Sequence, residues 1–117
     1  MKKLHIFWII AFVFIGLNLL IEPVKAAGIN YYVDSVGTDD ISHGAGTGTS
    51  AFKTIQYAVN DSRVTSGDVI NVASGIYDEQ VIISGKGLTL QGAGVTTIIQ
   101  PSSPNKLASL YIYPNET

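Results

Sequence analysis

The side chains able to carry chemistry are few and scattered. Asp78 and Glu79 stand side by side, Asp34, Asp39 and Asp40 share a glycine-rich stretch with His43, and Arg63 is the only arginine. A carboxylate pair suits general acid–base chemistry only when both groups converge on one substrate. Neighbouring residues of an extended segment project to opposite sides, so Asp78 and Glu79 read as framework. Asp34, Asp39 and Asp40 are oxygen donors of the kind Ca²⁺ takes, yet their spacing lacks the D-x-D-x-D-G rhythm of an ordered calcium loop. A solvated loop is the expected state. His43, between Ser42 and Gly44, has no evident carboxylate to orient it, so neither a base nor a ligand role is expected. Lys53, Lys86 and Lys106 are dispersed. Asn60-Asp61-Ser62 and Asn115-Glu116-Thr117 match the N-x-S/T acceptor pattern for glycosylation. Tyr111 and Tyr113 share one face of an expected strand, where packing is the commoner role and sugar stacking the alternative. No catalytic, cofactor-binding or metal-ligating residue is assigned.

Composition narrows the classes further. The chain has 117 residues, no Cys and a formal charge of −2. Without Cys there is no disulfide framework, thiolate nucleophile or Cys-bearing zinc site. Lys2, Lys3, Lys25 and Glu22 precede residue 27, which leaves Lys53, Arg63, Lys86 and Lys106 against eight carboxylates, a balance of −4. That excludes a nucleic-acid partner, which needs a concentrated basic surface.

The elements that must position these residues begin after a leader. Met1–Lys3 is basic, Leu4–Ile21 almost wholly apolar, and Val24-Lys25-Ala26 puts small residues at −3 and −1 of a cut after Ala26. This is the order of parts in a secretory signal peptide, 1–26; retention as an N-terminal anchor is the alternative. A secreted or cell-surface location follows in either case. Positions 27–50 hold a short opening strand, Ile29–Val33, and a Gly/Asp-rich loop from Asp34 to Ser50. A loop longer than about 12–15 residues within a compact domain is usually functional or disordered, and this one exceeds that length.

Positions 51–117 carry a helix and then strands. Phe52, Ile55, Ala58 and Val59 line one face of a helix expected over Ala51–Ser62, with Ser50 or Thr49 as cap. Short apolar runs follow at Val69–Val72, Gln80–Ile83, Leu88–Gln91, Thr97–Gln100 and Leu107–Tyr113, separated by Gly or Pro. The class is all-β. Asn-Gly and Asp-Gly hairpin joints are missing, and single glycines turn the chain rather than reverse it, a pattern that suits a parallel solenoid as well as it does a sandwich.

The ordered run F-x-T-I-Q-x-A-V (Phe52, Thr54–Gln56, Ala58-Val59) is followed by G-D-x-I-x-V-x-x-G-x-Y-x-E-x-V-x-I (Gly67-Asp68 to Ile83). Lys86, Leu88–Leu90, Gly92–Gly94, Thr96 and Ile98 complete it. The whole resembles the N-terminal segment of pectin lyase-like right-handed parallel β-helix proteins, a group that includes pectin methylesterases, polysaccharide lyases and surface β-helices. The resemblance implies a right-handed single-stranded parallel β-helix, with a capping helix and one to two coils on this chain. It implies that Glu79 belongs to the framework, and that the catalytic residues of such enzymes lie on later coils, so none is carried over.

The function expected is therefore an exported cap with the first coils of a β-helix protein, acting on or displayed with carbohydrate at the cell surface. The alternatives are the front of a pectin methylesterase-like or lyase-like enzyme, and a small stand-alone glycan-binding or adhesin-like module. Polysaccharide is the expected partner class, and further coils or a partner chain are expected to cover the last rung, because stacked repeats bury their faces only against neighbours. Once the leader is set aside, what is left reads as a fragment of a longer solenoid.

Overall fold

The computed structural model describes residues 26–101, 103–104 and 109–113. The leader apart from Ala26, Lys106, the pattern at Asn115 and positions 107–108 of the last expected strand lie outside the described residues. Within them the chain forms seven four-residue strands: β1 (Asn30–Val33), β2 (Val69–Val72), β3 (Gly75–Asp78), β4 (Val81–Ser84), β5 (Thr89–Gly92), β6 (Thr97–Gln100) and β7 (Leu110–Tyr113). A 3-10 turn, Gly48–Ser50, and one helix, α1 (Ile55–Asn60), lie between β1 and β2.

Every strand pairing is parallel. One sheet has the order β1-β2-β5, and β3-β6 and β4-β7 form two further sheets. The chain thus visits three sheets as β2, β3, β4 and then again as β5, β6, β7. Only Ala73-Ser74 separates β2 from β3, and only Glu79-Gln80 separates β3 from β4, enough to redirect the chain into a new sheet. Val69 aligns with Thr89, Gly75 with Thr97 and Val81 with Leu110, so the interval between passes grows from the first sheet to the third. The body is β-rich and parallel, as the missing hairpin joints suggest.

Alternation sets which side chains share an interior. Ile70 and Val72 of β2, Tyr77 of β3, and Val81 and Ile83 of β4 are buried together with Phe52, Ile55, Ala58, Val59 and Val64. The second pass repeats the pattern but is less covered. Leu110 and Ile112, in register with buried Val81 and Ile83, are 39% and 67% exposed.

The helix is shorter than its periodicity predicts. Phe52 belongs instead to a parallel bridge with Val33, which holds it extended, and Thr54 is the N-cap in place of Ser50 or Thr49, its Oγ1 accepting the Tyr57 N–H at 3.3 Å. The helical spacing is thus met by a residue that β1 captures. α1 packs on β1, β2 and β4.

The glycine-rich stretch from Asp34 to Ser50 is exposed at about half of its residues, yet it is tied to the sheet. It folds back along the outer edge of β1: the Tyr32 N–H donates to the Gly44 carbonyl at 2.9 Å, and the Phe52 N–H donates to the Tyr32 carbonyl at 2.9 Å. The Asp34 N–H then donates to the Phe52 carbonyl at 2.8 Å. An edge that would otherwise offer itself to other chains is covered. Gly44 makes this possible, since its φ is +97° and a Cβ there would lie 2.1 Å from a ring carbon of Phe52.

Candidate functional site

Most of the polar residues that the sequence singles out are spent on the frame. Glu79 reaches the start of α1, where Oε1 accepts the Ile55 N–H at 2.9 Å and Oε2 the Gln56 N–H at 2.8 Å. Asp39 arrives from the preceding loop. Its Oδ1 accepts the N–H groups of Lys53 and Thr54 at 2.7 and 3.0 Å, and Oδ2 accepts the Thr54 hydroxyl at 2.8 Å. With Thr54 capping Tyr57, every amide from Lys53 to Tyr57 has an acceptor. Donors at a helix start have no partner within the helix and are satisfied only from outside it. At the other end, Lys86 Nζ donates to the carbonyls of Val59 and Asp61 at 2.7 and 3.0 Å. Gln56 pairs with the backbone of β4, its Nε2 donating to the Ile82 carbonyl at 3.1 Å and its Oε1 accepting the Ile82 N–H at 2.6 Å.

Asp78 and Glu79 diverge: Asp78 is exposed and accepts from the Gln100 side chain, while Glu79 is half-buried on the helix. The buried Asp61 carboxylate is held by Arg63, whose Nε and Nη2 donate at 2.9 and 2.8 Å. Arg63 also donates to the His43 carbonyl at 3.0 Å and lies over the Phe52 ring, 5.4 Å from its centroid. The Arg63 hydrogen bonds keep Asp61 below the ordinary carboxylate range. Asp68 is lowered likewise, by the backbone N–H groups of Thr65 and Ile29, which close the turn into β2.

Asp34, Asp39 and Asp40 each face a different partner, and no group of three metal-ligating side chains occurs among the described residues. His43, expected to stand alone, is held by Asp40, whose Oδ1 lies 2.5 Å from Nδ1. Ser42 Oγ is 3.1 Å from that same nitrogen. A proton relay places nucleophile and carboxylate on opposite ring nitrogens, so this trio locks a turn and cannot pass a proton through the ring. The bond from His43, followed by those from Ser42, holds the Asp40 carboxyl well below its usual range.

The groups left over converge elsewhere. On the outer face of the three-stranded sheet, register stacks Tyr32, Asn71 and Gln91 in one row. They line a groove of about 250 Å³ whose wall is completed by Asp34, Thr47 and Gly48 and whose apolar part includes Val72, Ala73 and Ala93. Asn71 donates its Nδ2 to Asn30 Oδ1 at 3.1 Å and to the Tyr31 carbonyl at 3.3 Å, and its Oδ1 takes no part in these bonds. Among the described residues, the Tyr32 hydroxyl, the Thr47 hydroxyl and the Gln91 carboxamide have no hydrogen-bond partner in the protein. Asp34 uses only Oδ1, for the Val36 N–H at 3.2 Å. An apolar concavity with a few unengaged polar groups is the usual form of a small-ligand site.

Sequence reasoning misses this groove, since Tyr32, Asn71 and Gln91 become a row only once the strand register is known. Tyr111 and Tyr113 are in register with Ile82 and Ser84, beside a second cleft of about 600 Å³ lined by Gln56, Asn60, Lys86 and others. There the amide of Gln56 and the ammonium of Lys86 are already engaged. Asn60 is exposed as the last residue of α1. No helix of the described residues is long and apolar enough to cross a membrane. Set against family models, curated proteins and solved structures, the chain has no match in any of the three.

Proposed function

We propose that this chain is the exported N-terminal cap and opening coils of a right-handed parallel β-helix, which meets carbohydrate at or outside the cell surface through the groove on β1-β2-β5. The observation that carries the reading is the in-register row Tyr32, Asn71, Gln91, with unengaged hydroxyl and amide groups beside an apolar wall. Sugars present the matching chemistry: hydroxyls to donate and accept, and a C–H face that packs on an aromatic ring. Two passes through three parallel sheets support the coil arrangement, with α1 over the first pass. The partly exposed Leu110 and Ile112 suit a further coil stacked on the second. The reading assigns no catalytic residue.

Screening the chain on an array of neutral and acidic glycans tests it. Binding is expected, weakened at least fivefold by Gln91→Ala and by Tyr32→Phe, both of which sit on the outer face and leave the core intact. Binding that neither substitution changes would remove the groove from the function. Binding to no glycan would remove the function itself.

A further inference from the structure

Accepting that the groove binds carbohydrate, we infer that it selects neutral sugars and rejects uronates. The argument rests on charge. Among the described residues, Asp34 is the only formally charged one lining the groove. Among the described residues no lysine or arginine joins it, and the described cations are placed elsewhere. Arg63 is committed to Asp61 and the His43 carbonyl, and Lys86 to the end of α1. Lys53 lines a different cleft, with Asp78 and Glu79.

A carboxylate on the sugar ring would therefore meet Asp34 with no cation to offset it, and burial against an apolar wall would strengthen the repulsion. A neutral ring meets complementary groups. The free Oδ2 of Asp34 accepts from hydroxyls, the Gln91 carboxamide both donates and accepts, and the Tyr32 and Thr47 hydroxyls do the same. The free oxygen of Asn71 adds one more acceptor on the sheet face. The volume of about 250 Å³ suits one ring at a time, with the rest of an oligosaccharide running along the sheet.

Backbone amide NMR of the full chain, titrated with cellotetraose, xylotetraose and mannotetraose and with tetragalacturonate, decides the point. At least one neutral tetramer is expected to shift the amides of Tyr32, Asn71 and Gln91, and tetragalacturonate to bind at least tenfold more weakly. In Asp34→Asn, which keeps an oxygen for the Val36 N–H, the preference is expected to fall below threefold. Raising the salt from 20 to 300 mM is expected to narrow the wild-type preference, since screening weakens like-charge repulsion. Tetragalacturonate binding in this groove as tightly as the neutral tetramers would overturn the selectivity while leaving the carbohydrate function standing. If no tetramer shifts these amides, both fall.

Discussion

Glu79→Ala tests whether the start of α1 is held from outside. A six-residue helix is too short to persist by itself in water, so its stability must come from packing and from acceptors at its ends. Glu79 supplies two hydrogen bonds, at 2.9 and 2.8 Å, from one carboxylate. Charge-assisted bonds are worth about 1.5–3 kcal/mol each, and loss of a helix cap typically costs about 0.5–2 kcal/mol. Glu79 is only half-buried and water replaces part of what is lost, so the expected cost of Glu79→Ala is about 2 kcal/mol. For a domain of this size that is a fall in Tm of roughly 8–16 °C. Glu79→Gln keeps one acceptor oxygen and loses the charge, and about half the effect is expected. The assay is thermal and urea unfolding by far-UV circular dichroism at one fixed protein concentration, because any self-association would add to apparent stability. A loss below about 0.5 kcal/mol for Glu79→Ala would refute the reasoning. So would equal losses for Ala and Gln, since the acceptor oxygen that Gln keeps would then contribute nothing.

Three further outcomes are expected. Gly44→Ala combines a left-handed φ of +97° with a Cβ 2.1 Å from the Phe52 ring, and costs about 2–4 kcal/mol in urea unfolding. Gly48→Ala, at φ +60° with nothing within 4 Å, costs about 1 kcal/mol; equal losses would show that the ring contact is unimportant. The pH dependence follows from Asp40, Asp61 and Asp68, all lowered from the ordinary 3.8 by their hydrogen bonds. Carboxyls depressed in the folded state favour folding above their unfolded pKa and lose that contribution as pH falls through the folded value. Tm is therefore expected to be flat from pH 7 to 5 and to drop below about pH 4, with a smaller drop in Asp61→Asn. A fall that begins above pH 5 would place its origin in other groups.

How far the sequence discloses this architecture varies by element. β2 and β6 are legible to the residue, because β-branched and apolar residues fill most of each run and glycines or prolines bracket it. β3 is not. Gly75-Ile76-Tyr77-Asp78 offers only two apolar residues, of which Ile76 is 59% exposed, so no apolar alternation marks the strand. The start of the helix is ambiguous because Phe52 fits both a helical period and an extended bridge, and only its tertiary partner Val33 decides between them. The polar sites are hidden for a related reason. Asp39, Asp40, Glu79 and Lys86 show their charge in the sequence but not their roles, because their partners are backbone groups or side chains that no local pattern displays. Tyr32, Asn71 and Gln91 look unremarkable one by one, and their alignment depends on parallel pairing between segments far apart in the chain.

The two carboxylates that finish α1 flank it in the chain, Asp39 well before Thr54 and Glu79 well after Ile55. A chain delivered outward with its N-terminus leading would expose Asp39 early and the helix segment next, but the second acceptor would follow only once Glu79 had emerged. Until then the amides of Ile55 and Gln56 lack their partners. The start of α1 is therefore completed only when Glu79 has emerged, and folding during delivery would gain a step there rather than proceed residue by residue. Arrest of emergence just before Glu79 should leave the segment open to proteases, and arrest beyond Ile83 should close it.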